Sequence, residues 1–268
     1  MKTIIITGGT SGIGLELVKH FAINNYQVVF TGRNKSIAKS LVQNLSNFNV
    51  HFVETDFSSF NSILQSVERI VNEFKMIDVL INNAGVWEME FKETKDGIET
   101  NFGVNHLAPM LFTLKLLSFI NQVTGRIINT SSGAHRRNIL DLDDIEWRNK
   151  PYDGIATYSQ SKLCNIYFTK QLSKELNNSK ILVNTVHPGY VKTQLFDKMG
   201  ERNFDGVPNA FEGARSAIFA ATDTTIVNQS NLYLFQETVD RNITDMAKDD
   251  ALAKSVWDLS VKYLENKL

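Results

Sequence analysis

The chain has 268 residues, 43% hydrophobic and 21% charged, the balance of a folded globular protein large enough for a sizeable core. Twenty-eight basic against 29 acidic side chains leave a net charge of −1 with no extended basic stripe, which argues against nucleic acid as a principal partner. A single cysteine, Cys164, excludes an internal disulfide framework and fits a reducing compartment.

The first apolar run, in "MKTIIITGG", is too short for a signal peptide. The longest lipophilic stretch, 108–120, contains Pro109 and Lys115 and falls short of a membrane span. A cytoplasmic protein without a membrane span is expected. Strand-length apolar runs follow in order: "TIIIT" (3–7), "QVVFT" (27–31), "VHFVE" (50–54), "DVLIN" (78–82), "GRIINT" (125–130), "KILVNTV" (180–186) and "NLYLF" (231–235). Their near-continuous Ile and Val indicate strands covered on both faces, as in a parallel sheet. Amphipathic segments such as "GLELVKHFAI", "NSILQSVERIVNEF" and "SKLCNIYFTKQLSKEL" lie between them. This alternation predicts an α/β doubly wound Rossmann fold with a seven-stranded parallel sheet. No linker, repeat or low-complexity tract interrupts it, so residues 1–268 are read as one domain.

After the first strand comes "TGGTSGIG" (7–14), with Gly8, Gly12 and Gly14 between a strand and an amphipathic helix. Glycine permits the sharp turn and close backbone approach that a pyrophosphate at a helix N-terminus requires. Thr10, Ser11 and Ile13 fall in the same turn. The spacing is Gly-x3-Gly-x-Gly rather than Gly-x-Gly-x-x-Gly, and a tight turn without ligand would show it too.

The second strand ends in "TGRN", with Arg33 where an enzyme selective for NAD usually carries an acid for the ribose 2′-hydroxyl. Arg33 can pair with a 2′-phosphate, so NADP(H) is the expected cofactor. Past the third strand, in "TDFSS", Asp56 beside Phe57 could meet the adenine or could cap a helix beginning near Ser58.

"GVNHLAPMLFTL" (103–114) has helical periodicity until Pro109, which lacks an N–H and denies the Asn105 carbonyl its usual partner four residues on. In "YSQSK", Tyr158 and Lys162 stand four residues apart on one helix face. A phenol of pKa near 10 works at neutral pH only if its anion gains roughly 4 kcal/mol of stabilisation, which a nearby ammonium can help supply. Alone the pattern is common by chance. "INNAG" (81–85), "IINTSSG" (127–133) and "HPGYVKT" (187–193) each follow a strand, at the ends where doubly wound folds bind ligands.

In order and spacing these segments resemble the short-chain dehydrogenase/reductase family. "FGVNHLAPMLFTL", "FEGARSAIFAAT" (211–222) and "VWDLS" (256–260) are similar to its retinol-dehydrogenase-like branch. The resemblance implies an oxidoreductase acting on a small-molecule carbonyl or alcohol. Tyr158 is then the acid/base and Ser132, not the adjacent Ser131, bonds the substrate oxygen. Lys162 lowers the Tyr158 pKa and holds the ribose. Asn105 positions, through its main-chain carbonyl, a water that replenishes protons. It also implies cofactor contacts at Asn83, Ala84, Gly85, Pro188, Gly189, Val191 and Thr193, and makes a homodimer possible.

The branch usually has Gly-His where this chain has Ala108-Pro109. Twenty-five residues separate Ser132 from Tyr158, and the segment reads as a surface excursion able to wall the substrate cleft. The chain begins almost at its first strand without a membrane anchor, which argues against a retinoid role. Leu195, Phe196, Met199 and Phe204 suggest an apolar carbonyl compound. A non-catalytic NADP(H)-binding regulator is the alternative function, and a complete Asn105, Ser132, Tyr158 and Lys162 set argues against it. An epimerase or dehydratase would need more than the 75 residues after Thr193, and a methyltransferase an acid in place of Gly32 and Arg33.

Overall fold

A computed structural model describes residues 1–192, 195 and 207–268. Its strands are β1 (Thr3–Ile6), β2 (Gln27–Gly32), β3 (Val50–Glu54), β4 (Val79–Asn82), β5 (Arg126–Thr130), β6 (Leu182–His187), β7 (Tyr233–Phe235) and β8 (Thr238–Val239). They form one sheet in the order β3-β2-β1-β4-β5-β6-β7-β8, parallel throughout except for the β7–β8 pair. The expected seven parallel strands are therefore eight, the last one antiparallel. Its hairpin turns on Gln236 and Glu237, with Gln236 at φ 54°. That turn lacks the Asn-Gly or Asp-Gly signature that makes short hairpins readable.

The helices are α1 (Gly12–Ile23), α2 (Lys35–Asn44), α3 (Phe60–Glu73), α4 (Thr100–Phe102), α5 (Ala108–Leu116), α6 (Gly154–Glu175), α7 (Ala210–Thr222), α8 (Asp245–Lys248) and α9 (Asp250–Leu264). Alternate strand residues feed two buried layers. Ile5, Val29, Val53, Leu80, Ile127 and Val183 pack with α3, α5, α6 and α9. Ile4, Ile6, Val28, Phe30, Ile81, Ile128 and Val186 pack with α1 and α7. Period-two geometry sends neighbours to opposite faces, and both faces are covered, so the strands read as unbroken apolar runs. Strand order reverses between β1 and β4, and their carboxyl ends open a crevice there.

The periodic segment around Asn105 is not plain α-helix. Residues Gly103–Leu107 form a π turn in which the Ala108 N–H donates to the Gly103 carbonyl, five residues back. Pro109 follows as the second residue of α5. A π turn seldom lacks a local cause, and here the proline removes the α-helical donor to Asn105.

The 133–153 excursion begins with one 3₁₀ segment, Gly133–Arg137, and is pinned by side chains. The Asp141 N–H donates to Gln160 Oε1 (2.9 Å), Gln160 Nε2 to the Ile145 carbonyl (2.7 Å) and Tyr263 Oη to Glu146 Oε1 (2.8 Å). It thus lies along α6 and α9, and none of its described residues after Ser132 lines the cleft, contrary to the expected wall. No helix among the described residues is long and apolar enough to cross a membrane.

Candidate active site

A cleft of about 460 Å³ runs along the carboxyl ends of β1, β2, β4, β5 and β6. One end is built from main chain. Gly8 has φ 72°, a conformation that costs other residues strain. A Cβ on Gly14 would stand 2.1 Å from the Gly8 carbonyl oxygen, so that turn closes only around glycine. Thr10, Ser11, Gly12 and Ile13 complete the wall. Ser11 caps α1 without a side-chain bond, and no acidic residue occupies the first turn. The first turn of α1 thus borders the cleft without a side-chain cap on its amides, which suits a pyrophosphate.

Thr7 Oγ1 accepts from the N–H groups of Asn83 and Ala84 (2.9 Å each), while Asn83 Nδ2 donates to the Thr7 carbonyl (2.9 Å). These bonds lock the Asn83-Ala84-Gly85 strand end against the glycine turn. Beyond β2, Arg33 lines the cleft, and no hydrogen bond or ion pair joins it to another described residue. Its neighbour Lys35 is spent on Glu54 (2.8 Å). The guanidinium is thus available to an anion.

Asp56 and Phe57 also line this end. Asp56 does not cap α3: Ser59 does, accepting from the Ser62 N–H, and the helix starts at Phe60. Asp56 Oδ1 instead accepts from the N–H and Oγ of Ser58 (3.0 and 2.8 Å), and Oδ2 faces Lys95 (2.9 Å). Burial opposes its charge, but these partners outweigh burial and hold the carboxyl below the usual range.

The other end is built from buried side chains. Ser132 begins the turn after β5, where its hydroxyl accepts from the Ala134 N–H (3.2 Å) and faces the Tyr158 phenol, whose ionised form it favours. Ser131 points the other way, donating to the Lys162 carbonyl (2.7 Å). Both serines border the cleft, but the Ser132 hydroxyl is the one beside Tyr158. The turns after β5 and β6 are tied by His187, whose Nδ1 accepts from the N–H groups of Gly133 and Gly189 (3.2 Å each). Pro188, Gly189 and Val191 line the cleft beside it, while Thr193 lies outside the described residues, as do Phe196, Met199 and Phe204.

Tyr158 and Lys162 rise on successive turns of α6 and are 5% and 4% exposed. Lys162 Nζ lies 5.5 Å from the Tyr158 ring centre and donates to the Thr130 carbonyl (3.4 Å). Burial pushes the phenol up to about 12 and the ammonium down to about 8. The expected depression of Tyr158 is absent from these residues alone, because desolvation outweighs the opposing influence of Ser132.

Asn105 does not line the cleft but sits behind it. Its Oδ1 accepts from the Val86 N–H (2.7 Å), and its Nδ2 donates to the Val86 carbonyl (2.9 Å) and Ser161 Oγ (3.0 Å). A Cβ on Gly85 would meet both Asn105 Oδ1 (3.2 Å) and Lys162 Nζ (3.4 Å), which places the two side chains together behind that glycine. Its side chain thus fixes the strand-end loop.

Trp87, two residues past Gly85, was not singled out from the sequence. It lines the cleft and stacks on Tyr158, with ring centres 4.5 Å apart and planes at 14°. A large aromatic beside "INNAG" was the available signal.

Residues 2–203 match the family model for short chain dehydrogenase. The chain belongs to the short-chain dehydrogenase/reductase family. Its curated relatives put it in the retinol-dehydrogenase-like branch. Retinol dehydrogenase 13 of Homo sapiens is 38% identical over 72% of this chain, a stretch spanning 60% of that relative's length. Its Mus musculus counterpart is 31% identical over 97% of this chain and 83% of its own. The Homo sapiens polyprenol dehydrogenase is 30% identical over 97% of this chain and 84% of its own. Among solved structures, an uncharacterized protein from Mycobacterium Paratuberculosis superposes with TM-score 0.82 at 28% identity, covering 99% of this chain and 94% of that one. A blue fluorescent protein from a metagenomic library, solved in complex with NADPH, does so with TM-score 0.73 at 25% identity, covering 87% and 95%. The family and the sheet topology together make this an oxidoreductase of Rossmann type.

Proposed function

We propose that the chain is an NADP(H)-dependent carbonyl reductase or alcohol dehydrogenase with Tyr158 as its acid/base. The carrying observation is one cleft that joins an uncommitted Arg33 at one end to Ser132, Tyr158 and Lys162 at the other. The residues fit the cofactor. Uncapped α1 amides and the glycine turn would hold its pyrophosphate, Arg33 its 2′-phosphate, Asn83 to Gly85 and Pro188 to Val191 its nicotinamide half, and Lys162 its ribose. When bound, NADP(H) supplies the hydride exchanged with the substrate carbon.

This chain's own side chains handle the oxygen. Tyr158 gives its proton to the carbonyl oxygen in reduction and takes one from the alcohol in oxidation. Ser132 donates to the same oxygen as charge develops on it. Lys162 stays near the phenol, and Asn105 with Pro109 keeps a main-chain carbonyl available for the water that resupplies protons. Trp87, Val104 and Leu195 give the catalytic end apolar walls, and relatives named retinol and polyprenol dehydrogenase support an apolar alcohol or carbonyl as substrate.

The test is cofactor oxidation against a panel of aldehydes, ketones and quinones, with NADPH and NADH, in wild type and Arg33→Ala. Turnover with NADPH, and a loss of NADPH efficiency of about tenfold or more in the variant with NADH spared, is expected. Equal losses for both cofactors would remove the 2′-phosphate role. Tight NADPH binding with no turnover of any compound would favour the regulator.

A further inference from the structure

Trp87 stands where two parts of the fold meet. Its Nε1 donates to the Gly154 carbonyl (3.0 Å) in the first turn of α6. Tyr158 follows that residue by four, one helical turn on, and its ring lies face to face with the indole. The side chain is 8% exposed. The approach is possible because Gly154 has no side chain: a Cβ there would stand 2.4 Å from the Glu88 carbonyl oxygen and 2.5 Å from Met89 Cα. Asn101 clamps the same joint, accepting from the Glu88 N–H (2.9 Å) and donating to the Glu88 carbonyl (3.0 Å) and Thr157 Oγ1 (2.9 Å). The indole is thus fixed to the helix that carries Tyr158 and to the strand end that walls the cleft.

We propose that Trp87 is a positioning residue for the catalytic phenol: stacked on Tyr158, it fixes the ring against the cleft and keeps water from that face. The inference rests on Tyr158 being the acid/base. A water-excluding aromatic face disfavours phenolate, so the indole sets how high the pH must rise before Tyr158 can act as a base. This agrees with the upward push that burial exerts on the phenol. The other groups facing Tyr158 are Ser132 from the β5 end, Lys162 on α6 and Tyr233 on β7, with Glu88, held by Lys92 (2.8 Å), across the joint. Trp87 is uncharged, so replacing it changes solvation and ring position while leaving those charges in place.

The test compares wild type, Trp87→Phe, Trp87→Leu and Trp87→Ala, each saturated with NADP⁺. The pH dependence of alcohol oxidation is read alongside NADPH affinity. Trp87→Ala admits water, and the rising limb is expected to move down by roughly half to one pH unit with a lower maximal rate. Trp87→Phe, which keeps an aromatic face, is expected to stay within about a quarter unit of wild type. Trp87→Leu, apolar but unable to stack, keeps the limb high while losing rate through a mobile phenol. NADPH affinity is expected to hold within about twofold throughout, since the phosphate contacts lie elsewhere. Identical limbs and rates in all four proteins would overturn the proposal, as would equal shifts in Trp87→Phe and Trp87→Ala. Should no alcohol be turned over, the phenolate absorbance of the NADP⁺-bound protein, with Tyr158→Phe subtracted, reads the same ionisation without catalysis. An unchanged titration in Trp87→Ala would then reject the role of Trp87, while failed turnover would count only against the assignment of Tyr158.

Discussion

At one end of the cleft the wall is backbone: a glycine turn, the amides opening α1, and an exposed arginine. At the other it is side chain: Ser132, Tyr158, Lys162 and Trp87, backed by Asn105. The glycine turn and helix start of the first are encoded within a few positions of one another and depend on what glycine lacks, with Arg33 added from the end of the next strand. The second is assembled from the ends of β4 and β5, the π turn and α6, and depends on side chains held in place by partners tens of residues away. The two should therefore fail differently when altered.

The largest expected effect lies at the backbone end. Gly14→Val puts a branched side chain where even a Cβ would meet the Gly8 carbonyl at 2.1 Å. The turn must open, and NADPH binding is expected to fall by at least about a hundredfold, with a stability loss of a few kcal/mol. Calorimetric titration of NADPH checks this; a variant that binds normally would show that the turn is not the phosphate cradle.

A smaller effect should reach the side-chain end through pH. His106, next to Asn105 in the π turn, is fully buried, and its Nε2 bonds Ser260 Oγ of α9 (2.7 Å), whose own proton goes to the Val256 carbonyl (2.7 Å). Burial depresses the imidazole from 6.5 to about 4. In that window the unfolded chain takes up a proton that the folded one refuses, so stability is full above pH ~6.5 and falls as pH drops toward ~4. The linkage amounts to roughly 3 kcal/mol. His187, also depressed to about 4, titrates in the same direction. Urea unfolding across that range is expected to show a flatter acid slope in His106→Gln, with the His187 part retained. An unaltered slope would mean that the π turn does not hold a neutral histidine.

The smallest change expected is from Pro109→Ala. It restores an N–H that can donate to the Asn105 carbonyl and compete with the water proposed there. Turnover is expected to drop by less than about tenfold, with NADPH affinity unchanged. Full activity would reduce the proline to a packing role.

The same contrast explains what could be read from the chain. Gly8, Gly12 and Gly14 announce their turn because their spacing is local, and the apolar runs announce the sheet because both its faces are buried. Pro109 foretold a break in the helix, since a missing N–H is a property of one residue, although the π geometry before it was not foreseen. The stack of Trp87 on Tyr158 spans 71 positions and the His106–Ser260 bond 154, and no periodicity encodes either. Likewise "VWDLS" was legible as a recurring segment, but not as the stretch in which Ser260 meets His106 and Trp257 stacks on Phe168 (6.1 Å). The excursion was legible as an insertion, yet its anchorage on Gln160 and Tyr263 was not. β8 escaped because its two residues turn back without a glycine.

The proposed chemistry stands or falls on Tyr158. NADPH affinity and carbonyl reduction should be measured together on one preparation of Tyr158→Phe, which keeps the ring against Trp87 and removes only the hydroxyl. Affinity within about twofold of wild type, with turnover reduced by roughly a hundredfold or more, is the predicted result. Turnover that survives the substitution would contradict it.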